Sequence, residues 1–576
     1  MSTDAGVTVL ERLAIVGTYV ILTVLVWGLF ALDRGPFQDE LPVLNHIQSQ
    51  SGWWAQSFYQ IASPTRIFGA TTFALAHWSG VPFVTLQIMY GLVWLSSGVL
   101  VHALVRQMLP NDRWVAFVAG ALALTITGDF ATNYLQSLHI ALSAALGFAA
   151  VLSLVRWWRH GALVWLALAA VCQWASVFTY DSAISTLLLA PGLLWVLDRG
   201  RLSRRLVTGS IVWYALLMPY LILFLRFILD PSGYAGISLV PMTPRGTLKR
   251  TAELLLNNFT PWTPAFARSQ WFDAPAALLP IPLRVILAAF GAVVFAAVAA
   301  WLRGRDTDRS EKASSIAIIV GTCVLLALAA SASYARVRFS EFLFRTQFVS
   351  RLWSAIAIAG IARSLGLYWP SARFLSILVP TVFVGLGIYG GLERQDYYLG
   401  YWRRHQSELQ SIVQQVPGLR PDSRVVLHVA SDAPYLATAP FYKAFGSLAY
   451  LYGDSGLTTR VVLWDNSCSV TSNALVCGGK GSAACLQSGL CERETLPFAK
   501  TVFLDYSIQD NRYVLDETLP AWIQGDRSLR RDDYRPHELI VNQPLPARTK
   551  TWLYGPSFLG SLFPGVPPID GDADAR

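Results

Sequence analysis

The sequence predicts an α-helical polytopic membrane protein with a C-terminal α/β domain. Its 576 residues are 54% hydrophobic and 14% charged, whereas soluble domains carry about 25% charged residues. Up to residue 395 the apolar residues lie in long runs separated by short loops, and residues 396–576 differ in composition. We therefore predict a transmembrane domain over residues 1–395 and a soluble domain over residues 396–576.

Eleven apolar segments, each bounded by charged or turn residues, are predicted to span the membrane. No small-residue cleavage motif follows the first segment, which predicts a retained helix rather than a signal peptide. The predicted spans are residues 13–32, 83–106, 114–129, 135–155, 162–178, 183–197, 207–228, 281–302, 313–331, 348–367 and 374–391. Residues 66–79 are too short to span, and we predict an interfacial or re-entrant helix there, inside a first outer loop at 33–82.

The charge of the chain predicts its orientation rather than a nucleic-acid partner. Lysine and arginine number 45 against 36 acidic residues, a net charge of +9, and much of this charge lies in short loops between apolar runs. With a cytoplasmic N-terminus, every inner loop carries at least two basic residues, as the positive-inside rule requires. We therefore predict a multi-pass protein of the inner (plasma) membrane with an extracytoplasmic C-terminal domain.

The C-terminal domain has the pattern of a small α/β fold. A helix-like stretch, "WRRHQSELQSIVQQV", is followed by "RVVLHVA", "RVVLWD" and "TVFLDYSI". Such short apolar runs, bounded by turn residues, predict buried strands.

Four cysteines in this domain predict two disulfides, in line with an oxidising exterior. They show no C-x-x-C pairs and no nearby histidine, so a zinc site is not indicated. Three pairings are open among Cys468, Cys477, Cys485 and Cys491. The remaining cysteines, Cys172 and Cys323, lie in predicted spans and are interpreted as packing residues.

Acidic residues cluster at the predicted outer ends of the helices. Asp39 and Glu40 follow the first span in "FQDE", ahead of His46, while Asp129 and Asp181 follow later spans. A carboxylate at a helix end near lipid is costly unless it is paired or functional. Asp129 and Asp181 could equally cap helices or face water, whereas the setting of Asp39 favours a site.

Basic residues also gather on the predicted outer side, against the topology rule. The segment "SYARVRFSEFLFRTQFVSR" carries four arginines, including Arg336, Arg338 and Arg345, beside a single acid, Glu341. Guanidinium forks suit phosphate oxygens. Anionic lipid headgroups, or pairing with Glu341, are the alternative explanation.

Three stretches follow one another in the first 200 residues: "FQDELPVLNHI", the stretch that begins "SPTRIFGATTF", and "FTYDSAISTLLLAPGLLWVLD". In this order they resemble the GT-C superfamily of polytopic glycosyltransferases, and most closely its protein O-mannosyltransferase branch and related bacterial members. The resemblance covers about the first 200 residues and the overall layout. Pro64-Thr65-Arg66 replaces the usual basic-Pro order, Tyr180-Asp181 replaces Lys-Glu, and no tetratricopeptide repeats follow.

The resemblance implies transfer of a sugar from a polyprenyl-phosphate-linked donor to a saccharide, lipid or protein acceptor, with inversion. Asp39 is the expected catalytic base, and Glu40 supports it or shares the role. The donor phosphate is expected to bind arginines, and three further residues are expected to line the pocket. The arginines are Arg66, Arg336, Arg338 and Arg345, and the pocket residues are His46, Asp129 and Asp181. A divalent cation (Mg²⁺ or Mn²⁺) on Asp39, Glu40 and Asp129 is an open expectation.

Two other functions remain open at this point. A transporter or flippase for a lipid-linked saccharide is disfavoured by few charges within the spans and by the lack of a repeated half. A non-catalytic assembly protein for cell-envelope polysaccharide is the other alternative. An enzyme is expected to place Asp39 in a pocket with the arginines of 336–351, open sideways to lipid.

Overall fold

The computed structural model of the chain describes residues 9–36, 40–58, 65–126, 128–229, 242–259, 279–305, 313–337, 345–369, 371, 373–429, 448–453, 461–463, 468–477, 494–507, 509–510, 512–523 and 530–555. Several predicted features lie outside these residues, namely Asp39, Arg338, Glu341, Cys485 and Cys491.

Helices occupy all eleven predicted spans, which confirms the polytopic helical fold class. The helices of the N-terminal part are α1 (Val9–Thr23), α2 (Glu40–Ser49), α3 (Trp53–Ser57), α4 (Thr71–Trp78), α5 (Pro82–Met108), α6 (Arg113–Thr125), α7 (Leu138–His160), α8 (Leu163–Thr179), α9 (Ile184–Leu197) and α10 (Arg204–Leu229). They are followed by α11 (Pro244–Asn257), α12 (Ile281–Arg305), α13 (Ala313–Ala332), α14 (Ser350–Tyr368), α15 (Leu375–Gln415), α16 (Pro536–Leu539) and α17 (Ala547–Tyr554).

Within the described residues, seven helical segments are long and apolar enough to cross a membrane. They are Val9–Asp33, Pro82–Met108, Leu135–His160, Arg204–Arg226, Ile281–Arg305, Ala313–Ala332 and Leu375–Gln415. Helices α6 and α14 are buried along most of their length and form the centre of the bundle. A helix surrounded by protein does not need a full membrane-spanning length, which accounts for the 13 residues of α6.

Helices α8 and α9 depart from the prediction of two separate spans. They form a pair bent by 118°, which is either one broken span or a re-entrant loop. The break falls at Tyr180, whose backbone is extended (φ −163°, ψ 155°). Its carbonyl oxygen accepts a hydrogen bond from the Ser143 hydroxyl at 2.7 Å, so α7 holds the broken turn.

The first outer loop contains short helices rather than a span. Helix α4, at Thr71–Trp78, lies within the segment predicted as interfacial. In α3, the indoles of Trp53 and Trp54 are stacked and more than half exposed. Exposed tryptophans of this kind are typical of the membrane–water interface.

Helix α15 replaces two predicted helices with one. The last span and the first tail helix form a continuous helix of 41 residues, so the predicted boundary at residue 395 lies inside it. A buried ion pair fixes this middle section: Arg284 of α12 donates to the Asp396 carboxylate at 2.8 Å. The bundle is therefore connected to the tail by a continuous helix.

The tail is an α/β unit, as predicted. Its strands, in the described residues, are β1 (Arg424–His428), β2 (Val461–Leu463), β3 (Ser469–Val470), β4 (Ala474–Cys477), β5 (Glu494–Pro497), β6 (Thr501–Ser507) and β7 (Arg512–Leu515). Strands β2-β1-β6-β7 form one sheet, in which β1 is parallel to both β2 and β6, and β7 is antiparallel to β6. Strands β3-β4-β5 form a second, antiparallel sheet. The three predicted strands are confirmed as β1, β2 and β6.

One disulfide joins Cys468 to Cys477 across the β3–β4 hairpin. This is one of the pairs that the sequence left open, and it leaves Cys485 and Cys491 to each other if both disulfides form. Cys172 and Cys323 are free and buried.

We expect alkylation of the denatured, unreduced protein to modify Cys172 and Cys323 and none of the four tail cysteines. The two buried thiols act as an internal positive control for the reagent. Peptide mass spectrometry after alkylation reads out each position. Modification of two or more tail cysteines would contradict the pairing.

Asp516, directly after β7, predicts an unusual pH response of the tail. Burial, and then the charge of Asp505, raise the pKa of Asp516 to about 7, against about 3.9 in an unfolded chain. Between these values the folded tail binds a proton that the unfolded chain does not bind. Its stability therefore falls as pH rises from about 4 to about 7.

We expect amide hydrogen exchange in β6 and β7, corrected for intrinsic rate, to show less protection at pH 8 than at pH 5.5. Asp516→Asn, which cannot ionise, should gain protection at pH 8 and lose most of this pH dependence. An unchanged pH dependence in the variant would show that another group is responsible.

Candidate functional site

Polar residues converge at the end of the bundle from which α15 continues into the tail. They come from the end of the first span, the start of α2, the loop between α6 and α7, and the segment before α14. The α6–α7 loop contains "GDFATN", whose polar residues end α6 and form a 3-10 turn at Phe130–Asn133. These elements bring together Glu40, Asp129 and Arg345 of the predicted site.

Asp129 clamps two distant segments together. Its carboxylate is almost fully buried and accepts four backbone N–H groups. Oδ1 accepts from Ala131 at 2.8 Å and Arg345 at 2.9 Å, and Oδ2 accepts from Thr346 at 2.6 Å and Gln347 at 2.7 Å. Burial raises the pKa of Asp129, and the four backbone donors oppose this shift. With both oxygens occupied, Asp129 acts as a positioning residue and, as the sequence allowed, as a cap.

The Asp129 carboxylate holds Arg345 in a strained backbone conformation. Arg345 has φ +65°, in the left-handed region that residues other than glycine rarely adopt. Such conformations cost about 1–3 kcal/mol and persist only where the surroundings enforce them. The Arg345 side chain donates to Gln136 Oε1 at 2.9 Å and lies 5.0 Å from the Tyr134 ring.

Glu40 contacts the same loop. It is the first residue of α2, is fully buried, and accepts the Gln136 N–H at 3.0 Å. Gln136 therefore bridges Glu40 and Arg345. Asp39 precedes Glu40 in the chain and lies outside the described residues.

Arg66 and Asp181 form an ion pair. The Arg66 Nη2 lies 3.4 Å from both Asp181 oxygens, and its guanidinium stacks 4.0 Å from the Tyr180 ring centre. The charges of Arg66 and Arg345 both reach the buried imidazole of His139. Both clusters therefore lie within electrostatic reach of His139, a residue of α7.

The other predicted residues lie apart from these contacts. His46, half-buried on α2, has its Nε2 3.1 Å from Gln50 Nε2. Arg336 is exposed in the turn after α13.

Two buried arginines carry a further signal: Arg34, which the site predictions missed, and Arg351, the fourth arginine of the predicted 336–351 segment. Arg34 and Arg351 are 3% and 2% exposed. Arg34 donates to the Trp27 carbonyl at 2.9 Å and to Asn133 O and Gln87 Oε1 at 3.3 Å each. Arg351 donates to Ala123 O at 2.7 Å, and its guanidinium lies 3.5 Å from the Trp94 ring centre. Among the described residues, neither has a carboxylate within ion-pair distance.

Three other buried arginines of the bundle are paired. Arg66, Arg284 and Arg363 each have a carboxylate partner, which is Asp181, Asp396 and Asp112 respectively. An unpaired buried charge is costly, and proteins normally compensate it. Arg34 and Arg351 therefore predict that an anion from outside the described part of the chain binds between or beside them.

Unsatisfied polar atoms lie in the same region. The Tyr90 hydroxyl is buried and makes no hydrogen bond within the described residues. It lies within electrostatic reach of Arg34, Arg345, Arg351 and Asp129. Buried polar atoms are nearly always satisfied by protein, water or ligand. The hydroxyl is therefore suited to donate a hydrogen bond to a bound anion.

A groove of about 370 Å³ leads to Arg34 from the side of the bundle. It runs between α5, α15 and α17, and its other charged residues are Asp33, Arg403 and Arg548. At its edge, Leu32 and Val84 are 42% and 39% exposed on the outer surface of the bundle. The groove thus joins an exposed apolar surface of the bundle to a buried cation.

The described residues do not fit a metal centre. No group of three or more His, Cys, Asp or Glu side chains among them could hold an ion. Asp129, one of the expected ligands, already accepts four N–H groups. We therefore derive no catalytic step through a metal.

No family model matches the chain, and no curated protein matches it. Among solved structures, it is similar to ArnT from Cupriavidus metallidurans bound to undecaprenyl phosphate, with a TM-score of 0.39 and 16% identity over 88% of this chain and 94% of that one. It is also similar to the Archaeoglobus fulgidus oligosaccharyltransferase. The complex with zinc and sulfate gives a TM-score of 0.39 and 13% identity over 78% of this chain and 62% of that one, and the apo form gives 0.38 and 12% over 78% and 64%. With TM-scores below 0.5, these likenesses carry no argument about the site.

Proposed function

We propose that this protein is a membrane glycosyltransferase of the GT-C type that its sequence resembles. It would transfer a sugar from a polyprenyl-phosphate-linked donor to an acceptor on the outer face of the membrane. The observation that carries the proposal is the burial of Arg34 and Arg351 without carboxylate partners among the described residues, within electrostatic reach of the Tyr90 hydroxyl, which makes no hydrogen bond there. Two guanidinium groups and a hydroxyl suit the oxygens of one phosphate.

The groove favours a lipid-linked phosphate over a soluble one. It reaches Arg34 from the outer surface of the bundle, past the exposed side chains of Leu32 and Val84. A polyprenyl chain can lie along this apolar surface while its phosphate enters the polar end. Nucleotide sugars are not expected outside the inner membrane, which is the second reason for a lipid carrier.

The chemistry needs one base and several cations. A carboxylate takes the proton of the acceptor hydroxyl, whose oxygen bonds to the anomeric carbon as the bond to the lipid phosphate breaks. A single displacement of this kind inverts the anomeric configuration. The leaving group is a phosphate anion, so its departure depends on charge stabilisation, which the buried arginines supply.

We assign the base to Asp39 and a positioning role to Glu40. The carboxylate of Glu40 accepts the Gln136 N–H and thereby holds the start of α2 against the loop that carries Asp129. Asp39 is the residue that directly precedes Glu40 in the chain. Arg345 and the exposed Arg336 remain candidates for the donor phosphate, with Arg338 beside them in the sequence, while Arg66 is neutralised by Asp181.

The proposal is tested by lipid retention. The purified protein in nanodiscs is incubated with undecaprenyl phosphate or with undecaprenol, which has the same chain and no phosphate. Native mass spectrometry then counts the lipids that remain bound. We expect retention of undecaprenyl phosphate alone, and equal retention of both lipids would contradict a phosphate site.

A further inference from the structure

The tail has its own polar cluster at the carboxyl end of the parallel strands. Strand β1 lies between β2 and β6. The next strand in the chain, β2, therefore pairs with one side of β1, and the later strand β6 pairs with its other side. In open parallel sheets, ligands bind outside the carboxyl ends of the strands at such a switch point. The last residue of β1 is His428, and its register partner on β6 is Asp505.

Asp505 and Trp522 fix the orientation of His428. The His428 Nδ1 lies 2.5 Å from Asp505 Oδ1, and the Trp522 indole N–H donates to Asp505 Oδ2 at 2.9 Å. The indole also stacks on the imidazole, with ring centres 4.1 Å apart. A carboxylate on Nδ1 makes that nitrogen the N–H donor and leaves Nε2 as an acceptor. Within the described residues Nε2 has no partner, and the side chain is 17% exposed.

Asp516 adds a second polar group on the same face of the sheet. Its backbone N–H donates to the Phe503 carbonyl at 3.1 Å, which places Asp516 opposite Phe503. Phe503 and Asp505 are two residues apart on β6, so the side chains of Phe503, Asp505 and Asp516 lie on one face of the sheet. The Asp516 Oδ2 is buried and makes no hydrogen bond among the described residues. Burial and the nearby Asp505 raise the pKa of Asp516 to about 7.

The chemistry of these groups determines which class of ligand can bind. The Asp505 carboxylate disfavours phosphates, sulfates and acids. His428 Nε2 accepts a hydrogen bond, and the Asp516 carboxyl group, which holds its proton up to about pH 7, can donate or accept one, so the hydroxyl groups of a ligand suit both. Asp505 and the Nδ1 of His428 are engaged with each other, and no metal-binding group of three side chains occurs in the described residues.

We infer that the carboxyl end of the β2-β1-β6 sheet is a second binding site, for a neutral polyhydroxylated ligand of the saccharide class. Ligand hydroxyl groups donate to His428 Nε2 and form hydrogen bonds with the Asp516 carboxyl group. The choice of a saccharide among polyols rests on the proposed function, whereas the site itself rests on the tail alone. Such a site would hold a glycan on the tail, separately from the cluster in the bundle.

The test uses the full chain in nanodiscs, because maltoside detergents would compete for the site. Saturation-transfer NMR measures binding of three neutral trisaccharides, of gluco, manno and galacto configuration. We expect at least one to bind with a Kd below about 10 mM, and His428→Gln to weaken it at least tenfold. The matched control is His537→Gln, because His537 is also paired with a carboxylate, Glu517, but on an exposed surface of the tail.

Absence of binding by all three sugars, or equal binding by wild type and His428→Gln, would overturn the inference. Equal weakening in the His428 and His537 variants would also overturn it, since a general effect on the tail would then be responsible. Retention of undecaprenyl phosphate is measured on the same samples. Loss of that retention with intact saccharide binding would refute the proposed transferase and leave the tail site standing.

Discussion

Replacing Arg34 or Arg351 with glutamine should lower the affinity for undecaprenyl phosphate roughly ten- to a hundredfold. Each arginine is expected to donate a charge-assisted hydrogen bond to the phosphate, worth about 1.5–3 kcal/mol. Glutamine keeps a polar side chain but removes the charge. Titration of the lipid against each variant in nanodiscs, followed by native mass spectrometry, measures the change. The matched control is Arg373→Gln, because Arg373 is exposed and lies two residues before the start of α15.

The same variants separate a binding role from a structural one. Without lipid, Arg34→Gln and Arg351→Gln remove a buried charge that has no carboxylate partner among the described residues, together with hydrogen bonds to backbone carbonyls, so each should lower the thermal stability less than the loss of a buried ion pair does. Arg363→Gln breaks the buried pair with Asp112, in which the two atoms are 2.7 Å apart. It should destabilise the protein by about 3–5 kcal/mol. Unchanged lipid affinity in both the Arg34 and Arg351 variants would refute the phosphate site.

Asp39→Asn should reduce sugar transfer about 10²–10⁴-fold, the usual contribution of a positioned base. Asparagine keeps the size of the side chain and cannot accept the proton. Retention of undecaprenyl phosphate should change far less, because the arginines bind the phosphate. The measurement is transfer of radiolabelled sugar from a polyprenyl-phosphate donor by membranes that contain each variant.

Glu40→Gln should reduce transfer less than Asp39→Asn. The glutamine side-chain oxygen can still accept the Gln136 N–H, so the contact that positions α2 survives. A larger loss in Glu40→Gln would move the catalytic role to Glu40. Full transfer in both single variants and in the double variant would favour the transporter and assembly-protein alternatives.

Sequence patterns predicted the elements well, because apolar run length determines which segments become helices or buried strands. The tail strands at Arg424–His428 and Thr501–Ser507 match their apolar runs. Sequence patterns failed to predict features that depend on tertiary contacts. The continuity of α15 through "ERQDYY" depends partly on the buried ion pair of Asp396 with Arg284, 112 residues earlier. The bend at Tyr180 is likewise held by Ser143 of α7.

The site was only partly predictable for the same reason. Glu40, Asp129 and Arg345 were expected to share a pocket, and they do contact one loop. The clamp by Asp129 was not predictable, because three of its four donors lie more than 200 residues away. Arg34 resembles an ordinary residue at the end of a span, and its burial depends on Trp27, Gln87 and Asn133. The one sequence signal was basic charge on the side that the topology rule disfavours.

The most direct test of the account is a cryo-electron microscopy structure of the protein in nanodiscs with undecaprenyl phosphate. We predict phosphate density within hydrogen-bond distance of the guanidinium groups of Arg34 and Arg351 and of the Tyr90 hydroxyl, with the lipid chain leaving through the groove past Leu32 and Val84. If both guanidinium groups are instead paired with carboxylates of the chain, such as Asp39 or Glu341, and no phosphate lies there, the account is contradicted.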